Sequence, residues 1–567
     1  MKNNTIYTQV KASRGEIPSD VVYENAEIFN PFTCEWSISS FAVKSGFVVG
    51  TGDYRAHESV DLRGRRVVPG LIDAHVHIES SLLVPSEYAR LVSAHGTTTV
   101  VADPHEIANV CGVDGISFML AEREGLPIDI FFMLPSCVPA TPLDRGGAEL
   151  TASDLSLFIG KDGILGLAEV MNVPGVLNLD PSVWEKLSLT PIIDGHAPLL
   201  SGKDLNAYVA AGIQSDHECV SADEAAEKLD LGMYIFAREG STEKNLSEII
   251  RIVTPCTCSR FSFATDDRHV DMLVHDGHID DCIRKSVEFG LEPELAIRMA
   301  TLSPCERFLL NDRGALVPGR RADFCVLKTG VRFEVEKVFK NGKIAQGPKP
   351  RSATGIRHTM KCTRLPPDAL DISGSGTARV IGIVPNQILT ESLDFEIDAR
   401  DIPDPGRDII KAVVCSRYRD GSSGNGLVHG FGLRKGAIAS SVSHDSHNIV
   451  AVGVDDLDIK RAVDAIIQNE GGMVAVHGDE MVLLPLACAG LMSDLPYEAV
   501  CEKISALNTC ARKWGSIPEP FMYLSFLALT VIPHLRITDR GLFDVGSFTD
   551  VPLFIPDLAE KRGIEKA

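Results

Sequence analysis

Between Leu71 and about Leu310, short apolar runs recur, each ending in polar residues and followed by a helix-like stretch. They read VVPGLIDAHVHIES, GTTTVVADPHE, DIFFMLPSCVPA, DGILGLAEVMN, LTPIIDGHAP, AGIQSDHE, MYIFAREGS and FSFATDD, which makes eight strand candidates. Eight strands alternating with helices is the grammar of a (β/α)8 barrel, a parallel sheet closed on itself with the helices outside.

The flanks have a different texture. From about Asp20 to Pro69, the segments VVYENAEIFN, EWSISSFAVKSGFVVG and SVDLRGRRVVPG alternate in bursts broken by Gly and Asn, as strands of a small sheet do. After the barrel, LEPELAIRMATLSPCERFLL has helical spacing with Pro293 near its start. NDRGALVPGRRADFCVL and VEKVFKNGKIA then return to short strands, which are expected to complete the N-terminal sheet. The expected α/β organisation is therefore a TIM-type barrel (70–312) inserted in a small β-sandwich built from 1–69 and 313–346. A linker (347–376), rich in Pro, Gly, Ser, Thr and basic residues, leads to a C-terminal α+β domain (377–567).

Bulk properties agree with a multidomain soluble protein. Single cores stop growing near ~250–300 residues, and this chain has 567. Its 44% hydrophobic and 23% charged residues exclude a disordered or fibrous chain. A net charge of −22 argues against binding nucleic acid or anionic membrane, which needs clustered Lys and Arg. The fourteen cysteines, including the Cys256–Cys258 pair, follow no disulfide or zinc-knot spacing and read as reduced thiols. The N-terminus has no apolar signal region, and the stretches Phe131–Ala140 and Tyr523–Leu535 are short and Pro-interrupted. A cytoplasmic location is expected.

The metal-competent side chains sit at the ends of the strand candidates. His75 and His77 form an HxH on the first, and strand alternation can aim both imidazoles at one cation. Glu169 ends the fourth candidate, His196 the fifth, His217 the sixth and Asp266 the eighth. C-terminal strand ends are where barrel active sites are built. Each residue alone reads as an ordinary strand-end residue; six of them in this order read as a metal site.

This order resembles the amidohydrolase superfamily over about the first 345 residues, including the flanks VVPGLIDAHVH, TLSPCERFLL and DRGALVPGRRADFCVL. The whole chain resembles the bacterial adenine deaminase family through HIESS, VADPHEIANV, GLAEVMN, DGHAP, SDHE, REGS, ATDDR and the C-terminal SHDSHN. Many binuclear amidohydrolases bridge their metals with a carboxylated Lys at strand four. Here Glu169 holds that place, and Lys161 lies eight residues earlier. The resemblance implies one divalent ion on His75, His77, Glu169 and Asp266 and a second on Glu169, His196 and His217. Mn or Fe suits such nitrogen and oxygen donors, and Zn is compatible.

The resemblance further implies hydrolytic deamination of adenine to hypoxanthine and ammonia, as in purine salvage, by a homo-oligomer such as a dimer. A water activated between the two cations would attack C6, with Asp266 as general base and acid. Glu79, Asp103, His105 and Glu218 are candidates for protonating the ring or for orienting an imidazole. Arg238 can contact the purine or form a salt bridge. His444, Asp445 and His447 can cap the barrel mouth, bind another ion or serve a packed loop. Two other readings are a cyclic-amide hydrolase on the same barrel and a non-catalytic metal-binding scaffold. A cytidine-deaminase-type zinc site is excluded, because Pro255-Cys256-Thr257-Cys258 is one residue short of its PCxxC and far from His77-Ile78-Glu79.

Overall fold

The structure is a computed structural model describing residues 2–556 except 142, 242–243, 331, 346–354, 386 and 388. All eight strand candidates form strands: Leu71–Val76, Thr97–Ala102, Asp129–Leu134, Ile164–Val170, Ile193–Gly195, Ser215–Asp216, Tyr234–Arg238 and Phe261–Ala264. The first five make one parallel sheet and the last three another. The seams are tied by backbone hydrogen bonds. Across one, the Gln214 N–H donates to the Ile193 carbonyl at 3.1 Å; across the other, the Asp266 N–H donates to the His75 carbonyl at 3.0 Å. The barrel is thus closed.

Its packing follows from the strand composition. Ile72, Val101, Met133, Ala168, Phe236 and Ala264 come from strands around the whole ring yet form one cluster, which they can do only through the lumen. Phe308 and Leu310 plug that cluster from below. Leu71, Leu134, Leu167, Ile193, Ile235 and Phe263 join a second cluster shared with Leu205, Tyr208, Ile283 and Leu295 of the surrounding helices. Strands buried on both faces in this way are near-continuous apolar runs.

The strands before the barrel (Ser19–Asn30, Glu35–Lys44, Phe47–Thr51, Ala56–Asp61, Arg66–Pro69) share one sheet with those after it (Phe324–Leu327, Val335–Lys340, Lys343–Ile344). The join is antiparallel, with Val68 opposite Cys325. The sheet folds over an aromatic core in which Tyr23 stacks on Phe41 and meets Phe324 edge-on.

The C-terminal part has an eight-stranded sheet covered by the helix Asp456–Gln468 and a three-stranded sheet near its end. The described part of the expected linker has no helix or strand before Ser375, and it is not loose. Cys362, Leu365, Ala369 and Leu370 are buried in a cluster with Val413, Ile449 and Ile466. The beginning of that linker lies outside the described residues.

Barrel and C-terminal part share a core, which decides where the site's upper wall falls. Leu82, Leu83, Tyr88 and Val92 pack in one cluster with Ile410, Val452, Met473 and Leu491. The Ser493 N–H donates to the Leu82 carbonyl at 2.7 Å. Among the described residues no helix is long and apolar enough to cross a membrane, and the fourteen cysteines are free thiols.

Candidate metal centre

The six residues singled out at the strand ends converge at one end of the barrel. His75 and His77 bring their Nε2 atoms to 3.2 Å from one another. Asp266 Oδ1 lies 3.4 Å from His75 Nε2 and 3.1 Å from His77 Nε2. Asp266 follows the eighth strand with φ 52°, a left-handed conformation that Asp tolerates better than most residues. It is anchored on both sides, because the His77 N–H also donates to its carbonyl at 3.3 Å. One layer below, Asp73 Oδ1 accepts the N–H groups of His75 and Thr265, each at 3.2 Å, tying the first strand to the eighth.

Glu169 divides its two oxygens. Oε1 lies 3.4 Å from His77 Nε2 and 4.0 Å from His75 Nε2. Oε2 lies 2.7 Å from His196 Nδ1 and 3.2 Å from His217 Nε2. One carboxylate therefore faces two separate imidazole pairs. Burial works against the charge on Glu169, but His196, His217 and His77 outweigh it and hold the carboxyl well below the usual range. Burial is likewise outweighed at Asp266, by Arg238 first and then by His75 and His77. At His77 burial opposes protonation, yet Asp266 and Glu169 raise the imidazole well above its ordinary value.

Buried carboxylates among converging imidazoles call for positive charge in their midst, and a divalent cation supplies it. The tautomer of His77 fits this. Its Nδ1 lies 3.1 Å from the Asp103 carbonyl, which can only accept, so in the neutral ring the proton sits on Nδ1 and the Nε2 lone pair faces the cluster. No lysine lines this pocket among the described residues, and Lys161 lies instead over the Phe158 ring at 4.3 Å. The donor set suits a divalent metal centre.

The remaining candidates separate by position. His105, Glu218, Arg238, His444 and Asp445 line the pocket. Arg238 pairs with both oxygens of Glu218 and donates to Asp266 Oδ2 at 2.6 Å, so its ion-pair role is realised. Asp103 stands behind His105, with Oδ2 2.9 Å from its Nδ1. Glu79 accepts the Ile107 N–H at 3.2 Å, and burial with the nearby Glu106 lifts its carboxyl to about 7. Neither Asp103, Glu79 nor His447 is on the pocket wall.

Sequence reasoning overlooked Glu106, which joins the barrel to the C-terminal domain. Its Oε1 lies 2.6 Å from His444 Nδ1 and 3.3 Å from His105 Nε2, and its Oε2 takes a hydrogen bond from His447 Nε2. The Ser443 N–H donates to His447 Nδ1 at 3.2 Å, so the His447 proton is on Nε2. A cation on Glu106, His444 and His447 would need the lone pair that this proton occupies; the cluster is a closed hydrogen-bonded latch. Also overlooked were Asp267, Met171 and the apolar Phe526, Leu529, Val531 and Ile532, all on the pocket wall. The adjacency of Glu106 to His105 was the one available signal. The apolar four carried none.

Residues 66–345 match the amidohydrolase family and residues 387–549 match the adenine deaminase C-terminal domain. The adenine deaminase of Methanoregula boonei is 59% identical over 547 residues, 96% of this chain and 98% of that protein. That of Methanoculleus marisnigri is 60% identical over 516 residues, 91% of this chain and 99% of that protein. That of Desulfatibacillum aliphaticivorans is 46% identical over 568 residues, 96% of this chain and 99% of that protein. With a donor cluster at the barrel mouth and identity of this order along nearly the whole length, the chain belongs to the adenine deaminase family of amidohydrolases.

Proposed function

We propose that this protein hydrolyses adenine to hypoxanthine and ammonia in purine salvage. Two divalent cations, Mn or Fe with Zn compatible, would be held by His75, His77, Glu169 and Asp266 and by Glu169, His196 and His217. The observation that carries this reading is the division of Glu169, one oxygen toward each imidazole pair. When bound, the cations make a shared water acidic enough to act as nucleophile near neutral pH.

The protein's own groups supply the rest. Arg238 keeps Asp266 charged, so that Asp266 can take the water's proton as the oxygen adds to C6 and return it to the exocyclic nitrogen. Ammonia leaves, and C6 becomes the carbonyl carbon of hypoxanthine. The neighbouring ring nitrogen takes a proton from a protein group, and the proton that the C6 hydroxyl loses as it becomes the carbonyl restores that group. Of the four groups considered for it, Glu218 and His105 face the pocket, whereas Glu79 and Asp103 stand behind it. Part of the pocket wall is apolar, through Phe526, Leu529, Val531 and Ile532, which limits water and strengthens the electrostatic contacts nearby.

Protein reconstituted with Mn or Fe is expected to release ammonia from adenine, and chelation to abolish the release. Turnover of hydantoins or dihydroorotate with none of adenine would overturn the reading. Asp266→Asn is expected to lower kcat by about 10²–10⁴-fold, the usual worth of a positioned general base, with kcat/KM falling in parallel. Steady-state ammonia release measures both; an unchanged kcat would remove Asp266 from the proton path.

A further inference from the structure

The C-terminal domain contributes part of the pocket wall. His444 and Asp445 reach it on one loop, and Phe526, Leu529, Val531 and Ile532 on another segment. The loop is held on both sides. The His444 ring stacks on Phe526 at 4.7 Å and 14°, and the His444 backbone N–H donates to the Ser525 carbonyl at 2.9 Å. The Glu106 latch fixes His444 and His447, and the Tyr418 hydroxyl donates to the Ser446 carbonyl at 2.8 Å.

Asp445 is the exception in this ordered loop. It is 6% exposed, and its Oδ2 has no hydrogen-bond partner. Its Oδ1 comes no nearer to a charged group than His105 Nε2 at 3.9 Å. Buried polar oxygens are nearly always satisfied, so an unsatisfied one facing a pocket calls for a ligand group. We propose that Asp445 is a substrate-recognition residue: its free oxygen accepts a ring N–H of the base, while the apolar segment 526–532 covers the ring face. This rests on the adenine deaminase reading and adds a group that holds the base.

The chemistry of the wall fits a flat heteroaromatic base. Aromatic and branched side chains cover its faces, and a few placed polar atoms fix its rotation. Burial lifts the Asp445 carboxyl to about 7, with Glu106 adding to the rise and His105 and His444 opposing it. Either form retains an oxygen that accepts an N–H.

The test compares wild type with Asp445→Ala, both loaded with Mn. The expected result is a rise of at least about tenfold in KM for adenine and in the inhibition constant of hypoxanthine, the worth of one buried hydrogen bond. Bound metal stays at the wild-type level, and kcat changes less than KM. Asp445→Asn, which keeps an accepting oxygen, recovers most of the loss; a purely structural role would not give that rescue. Should Asp445→Ala fail to fold, Asp445→Ser removes the reach and carries the same expectation. Unchanged KM and inhibition constant, or loss of metal in the Asn variant, overturns the proposal. Absence of wild-type turnover of adenine overturns it together with the proposed function, whereas turnover with an insensitive KM overturns it alone.

Discussion

Glu169→Gln protein is expected to purify with metal lost from both donor sets and to deaminate adenine at least about 10²–10³-fold more slowly than wild type. The lower bound is the cost of losing one preorganised charge contact, roughly 3–4 kcal/mol. Glu169 serves two sets of imidazoles, at 3.4 Å on one oxygen and at 2.7 and 3.2 Å on the other, so the loss reaches both. Gln keeps the shape but replaces one accepting oxygen with an NH2 group. That group turns donor protons toward whichever imidazole pair it faces. Metal content by elemental analysis, together with ammonia release, measures both effects. Two ions per chain retained in this variant would show that the bridge is elsewhere, and a normal circular dichroism spectrum would exclude unfolding as the cause.

Glu106→Ala is expected to destabilise the protein by about 3–5 kcal/mol, the cost of removing one partner from a buried charged pair. His444 would lose the carboxylate 2.6 Å away, and His447 would lose the acceptor of its Nε2 proton. Burial opposes the charge on His444, but Glu106, Asp267 and Asp445 raise it to about 9 from an ordinary 6.5. A raised histidine stabilises fully below 6.5, and that contribution is lost as pH rises through about 9. His447 behaves oppositely. Burial is the main cause that pushes it down to about 4, so its contribution is complete above 6.5 and is lost as pH falls toward 4. Burial also opposes the charge of Glu106, yet His444, His105 and His447 hold it well below its ordinary 4.5, so its contribution is likewise lost only in acid. The latch is strongest near pH 6.5, and the stability gap between wild type and Glu106→Ala should shrink from there toward pH 9. Thermal melting across that range checks it; a constant gap would show that His444 is not the titrating partner.

Much of the donor cluster could be read from the chain because its parts are local. Each donor is set by a short strand and the polar residue near its end, and strand ends of a parallel barrel meet at one edge whatever the loops do. His75 with His77, and Glu169, His196, His217 and Asp266, needed only that rule to be brought together. The roles of neighbouring polar residues were less legible. Glu79 and Glu218 lie close to His77 and His217 in sequence and Asp103 follows the second strand, but of the three only Glu218 turns to the pocket, where Arg238 holds it. Which way a side chain faces one residue past a strand end depends on the local bend, and Asp266 at φ 52° is a case in which periodicity has already ended.

The alternation of eight apolar runs with helices and the polar residue closing each run determined the barrel and its donor set, because both are properties of neighbouring residues. The upper half of the pocket was decided only by tertiary structure. Glu106 meets His444 across 338 residues, and Phe526 and Ile532 come from the apolar stretch Tyr523–Leu535, in which no pattern points to a site. The shared core of Leu82, Tyr88, Val452 and Met473 carries the C-terminal domain onto the barrel mouth. Apolar burial is non-directional, so no local pattern in the chain announces which two faces it will join.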